Sequence, residues 1–254
     1  MKARYIPLIE AGAEKQMAID EALLRYYDEK GQEPIFRFFR FKPSAITLGY
    51  TQPVDETIHA ERCKEKEIPY VRRITGGGTV FHDYHGEITY SMVTEKEHGD
   101  IEKSFKENLQ PIINTLQRLG LDAKFKPYND ILVGNKKISG SAQRRGKKGM
   151  LQHGTLMYGT DLKELSKILK LDEKKMKEKG AKNFLDLVTT IQKEKGEKPD
   201  PDELIYMMKE EYEKHFGGEV EERGLSEEEK KLASTLEDKY ASKSWTYERE
   251  WDQY

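Results

Sequence analysis

Apolar residues along this chain recur with two periods, and the alternation between the two lays out its elements. Within residues 14–31, Ile19, Ala22, Leu23, Tyr26 and Tyr27 fall at i, i+3, i+4, i+7 and i+8. That spacing predicts an amphipathic helix, stopped by Gly31. Residues 35–41 and 45–50 are short apolar runs split by Lys42-Pro43-Ser44 and predict two strands. Residues 55–67 form a polar helical stretch ended by Pro69, residues 70–74 a strand, and residues 87–93 an alternating strand. Residues 101–119 return to helical spacing through Phe105, Leu109, Ile112, Ile113 and Leu116. Pro111 lies inside that pattern, where a missing N–H costs about 3 kcal/mol, so a kink or break is expected near Gln110.

Beyond it, residues 131–133 and 136–139 predict a hairpin across Gly134-Asn135, and residues 143–156 a strand pair across the basic turn Arg145-Gly146-Lys147-Lys148-Gly149. From Asp161 the pattern becomes helical and very polar. Asp200 with Pro201 and Glu203 marks one helix start, and Ser226 with Glu229 a second. Residues 193–202 read as a connection. Hairpins interspersed with helices predict an α+β protein, organised as one domain over residues 1–254 with a polar helical part from about 161.

Composition narrows the setting. The 254 residues carry a formal charge of −2, which provides no global field toward nucleic acid or an anionic membrane. Charged residues nevertheless make up 35% of the chain, against roughly 25% in an ordinary globular protein. The excess of Glu and Lys in both signs is that of heat-adapted surfaces, so a thermophilic source is expected. The lone Cys63 rules out an intramolecular disulfide and a cysteine-based metal site. The first residues lack the apolar run of a signal peptide, and no segment has the pattern of a membrane span. A cytoplasmic protein is expected.

Candidate chemistry concentrates in two clusters. In the first, Arg72-Arg73 ends an apolar run, Gly76-Gly77-Gly78 follows, and Val80-Phe81 leads to His82-Asp83. One reading is a loop whose N–H groups and arginines wrap an anion; the other is a flexible glycine turn in a hairpin. In the second cluster, strand alternation after Gly134-Asn135 puts Lys137 and Ser139 on one face and Lys136 and Ile138 on the other. An inward lysine beside Ser139, Gly140, Ser141 and Ala142 fits a cationic head in a narrow pocket; an exposed Lys-Lys pair is the alternative. His153, inside an apolar strand, is either a satisfied core histidine or a participant in the chemistry.

Taken together, Arg72-Arg73, Gly76-Gly77-Gly78, Val80-Phe81-His82-Asp83, Asn129-Asp130, Lys137-Ile138-Ser139-Gly140-Ser141-Ala142 and Gln152-His153-Gly154-Thr155-Leu156 resemble the lipoate–protein ligase family. The blocks occur in order and at comparable spacing over roughly residues 18–171. The resemblance implies the fold shared with biotin protein ligases and octanoyltransferases: mixed, largely antiparallel sheets flanked by helices. It also implies a two-step reaction, in which lipoate and ATP give lipoyl-AMP and pyrophosphate, and a carrier lysine then takes the lipoyl group.

The resemblance assigns the ATP and adenylate contacts to Arg73, Gly76, Gly77, Gly78, Thr79, Val80, Phe81 and Lys137. The acyl chain falls to Phe39, Gly49, Arg73, Lys137, His153 and Gly154. Catalysis falls to Lys137, bridging carboxyl and phosphate, and to Asp130, which holds Mg²⁺ or takes a proton from the incoming lysine. His82 and Asp83 shape the loop. Implied partners are a lipoyl carrier domain, of a glycine-cleavage carrier protein or a 2-oxoacid dehydrogenase acyltransferase subunit, and a separate small accessory subunit. The last follows because the sequence stops about where the family's large domain stops, so the small C-terminal domain of single-chain ligases is expected to be absent.

Two further departures matter. An arginine that the family carries near residues 181–192 has no counterpart in Leu185-Asp186-Leu187-Val188-Thr189-Thr190-Ile191. Gln152 and Ser141-Ala142-Gln143-Arg144 resemble octanoyltransferases as well. Those enzymes pass an acyl chain through a cysteine without ATP, and their cysteine would stand near residues 125–128, where this chain has none. Cys63 reads instead as a small hydrophobe. A third reading is a binding or accessory protein that kept the fold but lost adenylation. Biotin transfer is disfavoured, because the arginine-glycine pattern here differs from that of biotin ligases.

Overall fold

The computed structural model describes residues 2–31, 33–96, 99–170 and 183–251. Its first half runs β1 (Ala3–Ala11), α1 (Ala13–Lys30), β2 (Ile35–Phe41), β3 (Ala45–Leu48), α2 (Val54–Thr57), α3 (Ala60–Glu65), β4 (Tyr70–Arg72), β5 (Val80–His82), β6 (Glu87–Glu95) and α4 (Ile101–Arg118). The second half continues with β7 (Ala123–Lys126), β8 (Asp130–Val133), β9 (Lys136–Arg145), β10 (Gly149–Met157), α5 (Leu162–Ile168), α6 (Ile191–Lys195), α7 (Pro201–His215), β11 (Val220–Glu222) and α8 (Glu227–Ala241). The large sheet has the order β11-β1-β2-β6-β10-β9-β8-β7. Only β1 pairs in parallel, with β11 and with β2; the other ladders are antiparallel. This is the expected α+β architecture of mixed, largely antiparallel sheets with helices.

Strand alternation splits the core in two. Phe36, Phe38, Tyr90 and Leu156 point to one face, where α4 and α7 cover them with Leu109, Leu116, Met208 and Tyr212. Ile35, Phe39, Val93 and Leu151 point to the other and meet α1 and α8 through Ile19, Leu23 and Leu236. Both capping signatures at α7 and α8 form: Asp200 accepts from the N–H groups of Asp202 and Glu203, and Ser226 and Glu229 complete a reciprocal box. Among the described residues, no helix is long and apolar enough to cross a membrane.

Several expected boundaries move. No break occurs at Pro111: α4 is one 18-residue helix, with Pro111 buried beside Ile112 and Ile113. Burial of that face outweighs the missing bond, and the Thr115 hydroxyl donates to the Pro111 carbonyl. The helix expected over 55–67 is two short ones, because the intervening Ile58 is extended, fully buried and bridged to Leu169. Part of the expected connection at 193–202 is helical, as α6. Strand β1 went unforeseen because Pro7 interrupts its pattern; Pro7 sits at the register shift against β2, where no ladder hydrogen bond is required of it.

A small second sheet, β4-β3-β5, presents the glycine loop. β4 lies parallel to β3 and β5 antiparallel on its other side, so residues 73–79 must cross the end of β3. They can do so only by passing close over Gly49. A Cβ on Gly49 would stand 1.9 Å from the Gly77 carbonyl oxygen, whereas Cβ atoms on Gly76 or Gly78 would meet nothing within 4 Å. Gly77 alone of the three has a positive φ, +88°. Gly49→Ala is therefore expected to cost about 1–3 kcal/mol in denaturant unfolding, with Gly76→Ala and Gly78→Ala near neutral; a silent Gly49→Ala would contradict this packing.

Candidate functional site

Between the two sheets lies a cavity of about 210 Å³. Thr79, Val80 and Phe81 of the loop and β5 form one wall, and the β9–β10 pair the opposite one. Its lining draws on two groups: Met17, Ala142 and His153 from α1 and the β9–β10 pair, and Leu165, Leu169, Phe184 and Val188 from the cluster around Ile46 and Leu48.

Arg73 organises the loop. Its guanidinium is 4% exposed, and all five N–H groups are engaged. Nε donates to Thr75 Oγ1 (3.0 Å), Nη1 to the Thr47 carbonyl and hydroxyl (3.0 and 3.1 Å), and Nη2 to the Gly76 and Gly78 carbonyls (both 2.7 Å). Every one of these acceptors is neutral. Burial lowers the pKa of Arg73 to about 10, which still leaves a full positive charge at neutral pH. Pulling the carbonyls of Gly76 and Gly78 inward leaves the exposed N–H groups of the glycines without a described protein partner, and a buried cation lies directly beneath them.

Arg72 does something else. Nε and Nη2 donate to the Thr246 carbonyl (2.9 and 2.6 Å), and Nη1 to the carbonyls of Gly49, Tyr50 and Gln52. Trp245 Nε1 returns a bond to the Arg72 carbonyl (2.8 Å). The expectation of two arginines at the mouth of the loop is corrected: Arg72 ties the segment after α8 to the β3 turn, away from the cavity.

Across the cavity, β9 carries a bulge. Leu132 of β8 pairs with Lys137 and Ile131 with Ser139, so Ile138 is the extra residue. Ile138 and Ser139 both turn into the core, Ser139 bonding the Tyr90 hydroxyl at 2.8 Å. Lys137 consequently joins the face of Gly140 and Ala142, not that of Ser139 as uninterrupted alternation would have it. Its Nζ lies 2.7 Å from Asp130 Oδ1. Its backbone is held from outside the sheet: Lys137 N donates to the Leu187 carbonyl (2.8 Å), and Thr189 N donates to the Lys137 carbonyl (2.9 Å).

Beneath the loop runs a buried polar chain. His153 Nδ1 lies 2.8 Å from Asp20 Oδ2, and Nε2 lies 2.7 Å from Thr75 Oγ1. Burial would push Asp20 up, but Arg37 and His153 override it and hold the carboxyl below its usual range. An ionised Asp20 fixes the His153 proton on Nδ1, so Thr75 donates to Nε2 while accepting from Arg73. On the other side, His82 Nε2 lies 3.0 Å from Thr47 Oγ1 and Nδ1 lies 3.2 Å from Glu87 Oε2. That spacing suits an ion pair, yet burial pushes Glu87 well above its ordinary value and His82 well below. The pair is therefore neutral: protonated Glu87 donates to Nδ1, and Nε2–H donates to Thr47.

Of the expected site residues, Arg73, Gly77, Gly78, Thr79, Val80, Phe81, Lys137, His153 and Gly154 line the cavity, and Asp130 touches it through Lys137. Phe39 does not; it is fully buried behind the site under the Arg37 guanidinium, 3.9 Å from the ring centroid. Gly49 and Gly76 act on the loop rather than on the cavity. Gly154 lines it with backbone, and its missing side chain leaves room for the Tyr90 hydroxyl. Direct donation from Arg73 to a ligand, as expected, would require releasing a loop acceptor. Asp20, Arg37, Thr47, Thr75 and Glu87 belong to the site's support and were not foreseen. No group of three or more His, Cys, Asp or Glu able to hold a metal occurs among the described residues.

Comparison with known proteins agrees with this geometry. A model of the lipoyl protein ligase A/B catalytic domain matches residues 13–213. Lipoate–protein ligase 1 of Staphylococcus aureus is 35% identical over 92% of this chain and 69% of its own length. Octanoyltransferase LipM of Bacillus subtilis is 29% identical over 97% of this chain and 98% of its own. Among solved structures, a chain from the lipoylation system of Thermoplasma acidophilum, described as a bi-partite lipoate protein ligase and its E2 lipoyl domain, superposes with a TM-score of 0.86. It is 30% identical, covering all of this chain and 99% of that one. A lipoate-protein ligase A bound with ATP gives a TM-score of 0.84 at 29% identity, over 96% and 98% of the two chains.

The neutral Glu87–His82 pair has a measurable consequence. With a folded pKa above the ordinary 4.5, Glu87 leaves stability intact below that pH and removes it as pH rises toward the folded value. Glu87→Gln keeps the geometry, because its amide donates to His82 Nδ1 and its carbonyl accepts from Thr89. At pH 8 the variant is expected to unfold at least about 1 kcal/mol later than the parent, with the gain vanishing near pH 4. A loss of stability at pH 8 would mean that the carboxylate is ionised.

Proposed function

This chain belongs to the lipoyl protein ligase A/B catalytic-domain family, and we propose that within it the chain is an ATP-dependent lipoate–protein ligase. The observation that carries this reading is one cavity with a glycine loop over a buried Arg73, held by neutral acceptors, on one wall and Lys137 on the other. Donors and cations fixed before the reaction are what a site needs when a carboxylate must approach a polyphosphate.

In the proposed first step the lipoate carboxylate attacks the α-phosphorus of ATP. The new C(O)–O–P bond forms, and the bond to the β-phosphate breaks with release of pyrophosphate. The N–H groups of Gly77 and Gly78, which line the cavity, hold phosphate oxygens, with Arg73 acting through the loop and through its field. Lys137, on the cavity wall, offsets charge on both the carboxyl and the α-phosphate as they meet. In the second step the amine of a carrier lysine attacks the mixed-anhydride carbonyl and AMP leaves. Asp130, beside Lys137, takes the amine proton. A Mg²⁺ ion carried in with the phosphates would screen their charge; one carboxylate with phosphate oxygens and water is an ordinary ligand set for it. The acyl chain fits against Met17, Ala142 and His153, and the base against Val80, Phe81, Leu165 and Phe184.

The near full-length likeness to the bi-partite ligase supports a separate small accessory subunit for efficient adenylation, and a lipoyl carrier domain as acceptor. The likeness to LipM keeps open acyl transfer through a thiolate. Against it stands Cys63, 1% exposed in the cluster of Ile46 and Leu48, with burial pushing its thiol up; a nucleophilic cysteine needs access and a lowered pKa. With preformed lipoyl-adenylate and a carrier domain, Lys137→Ala is expected to lower the single-turnover transfer rate about 100-fold or more, and Cys63→Ser to leave it unchanged. Loss of transfer in Cys63→Ser would establish the thiolate route instead.

A further inference from the structure

The pairing of Lys137 with Asp130 raises a question of order. If Lys137 serves the ligand and Asp130 takes a proton, the two cannot stay bonded to each other through the reaction. Three features bear on how they part. First, Gly140 stands directly opposite Asp130 in the β8–β9 ladder, and the lysine head lies on its bare backbone. A Cβ there would stand 2.3 Å from Lys137 Nζ, 2.4 Å from Cε and 3.4 Å from Asp130 Oδ1. Second, the bulge at Ile138 puts Lys137 on that face at all. Third, the Lys137 N–H and carbonyl are both bonded to the 187–189 segment, so the side chain is the part free to move. The ion pair itself is partly open, with side chains 37% and 20% exposed, and such pairs are weak against a multiply charged competitor.

We propose that Lys137, Asp130 and Gly140 form a latch: in the empty site the lysine is parked across Gly140 on Asp130, and an arriving phosphate draws it off. The inference rests on the ligase reading and adds an order of events to it. Phosphate binding hands the ammonium to the ligand and uncovers the Asp130 carboxylate. Asp130 can then accept the proton of the carrier amine as the C–N bond forms and the C–O bond to AMP breaks. Before adenylate is present, the same carboxylate is covered and does not deprotonate a passing amine. Gly140 is a positioning residue: it touches no substrate, and its lack of a side chain provides the berth.

The latch predicts a gain of affinity, which a merely structural role of Gly140 would not produce. Gly140 has no positive φ, and the atoms nearest an added Cβ are the flexible end of Lys137 and, at contact distance, Asp130, so Gly140→Ala is expected to fold. Binding of AMP and, separately, of inorganic pyrophosphate is measured calorimetrically on the intact chain. Gly140→Ala is expected to bind pyrophosphate about three- to tenfold tighter than the parent, because no ion pair has to be broken. Asp130→Asn is expected to do the same or more, and the double variant no better than Asp130→Asn alone, since both changes release the same lysine. In a Lys137→Gln background, Gly140→Ala should change nothing. Unchanged or weaker binding in Gly140→Ala, effects that multiply in the double variant, or a parent that binds neither probe would overturn the latch. The expected pattern with pyrophosphate but no binding of AMP would leave the latch standing and remove the nucleotide reading.

Discussion

A guanidinium buried without a carboxylate partner is the constraint from which the site follows. Arg73 keeps its charge because five neutral acceptors surround it, all from the elements it organises: the Thr47 carbonyl and hydroxyl on β3, and the Thr75 hydroxyl and the Gly76 and Gly78 carbonyls in the loop. Turning those carbonyls inward turns the adjoining N–H groups outward. The loop thus owes its anion-seeking surface to an arginine that need not touch the anion. Asp20 through His153 and Thr75, and Glu87 through His82 and Thr47, reach the same guanidinium from opposite sides. An ionised carboxyl supports one branch and a neutral one the other, so the positive field of Arg73 is not cancelled at close range.

The opposite wall depends on a single extra residue. Without Ile138 out of register, alternation would send Lys137 into the core with Ser139, or Ser139 out with Lys137. The bulge settles the conflict by burying two consecutive residues and leaving the lysine over Gly140. Pairing with residues 187–189 then fixes its backbone where β10 has already ended. The segment that holds the lysine also contributes Phe184 and Val188 to the cavity, so placement of the cation and the shape of the site are linked through one stretch of chain.

Much of this was legible in the sequence. The helical spacing of residues 14–31 and 101–119, the capping signals at Asp200 and Ser226, and the turn at Gly134-Asn135 are local codes, and each formed. The glycine run, Lys137 and His153 were found because residue types that suit phosphate and carboxyl chemistry stand out against apolar strands. What failed was non-local. The residue pattern by itself leaves Arg72 and Arg73 equivalent at the loop, and only the family resemblance singles out Arg73, since which one faces the cavity depends on the end of β4 and on Thr246, 174 residues away. The family resemblance gives Phe39 to the acyl chain, but a match of residue type carries no depth, and here the ring is buried under Arg37 and does not line the cavity. The bulge is invisible to a period-two reading. A usable signal existed for the buried support: Asp20 on the apolar stripe of α1 and Arg37 inside Ile35–Phe41 are charges in positions that only a paired interior tolerates.

The central claim is that this chain couples ATP to the acylation of a carrier lysine. The most direct measurement is the intact mass of a lipoyl carrier domain after incubation with the chain, lipoate, Mg²⁺ and the small accessory subunit, with ATP present or withheld. The expected result is a gain of one lipoyl group that requires ATP and is accompanied by release of pyrophosphate. Acylation without ATP from an acyl thioester, with no gain from ATP and lipoate, would contradict it.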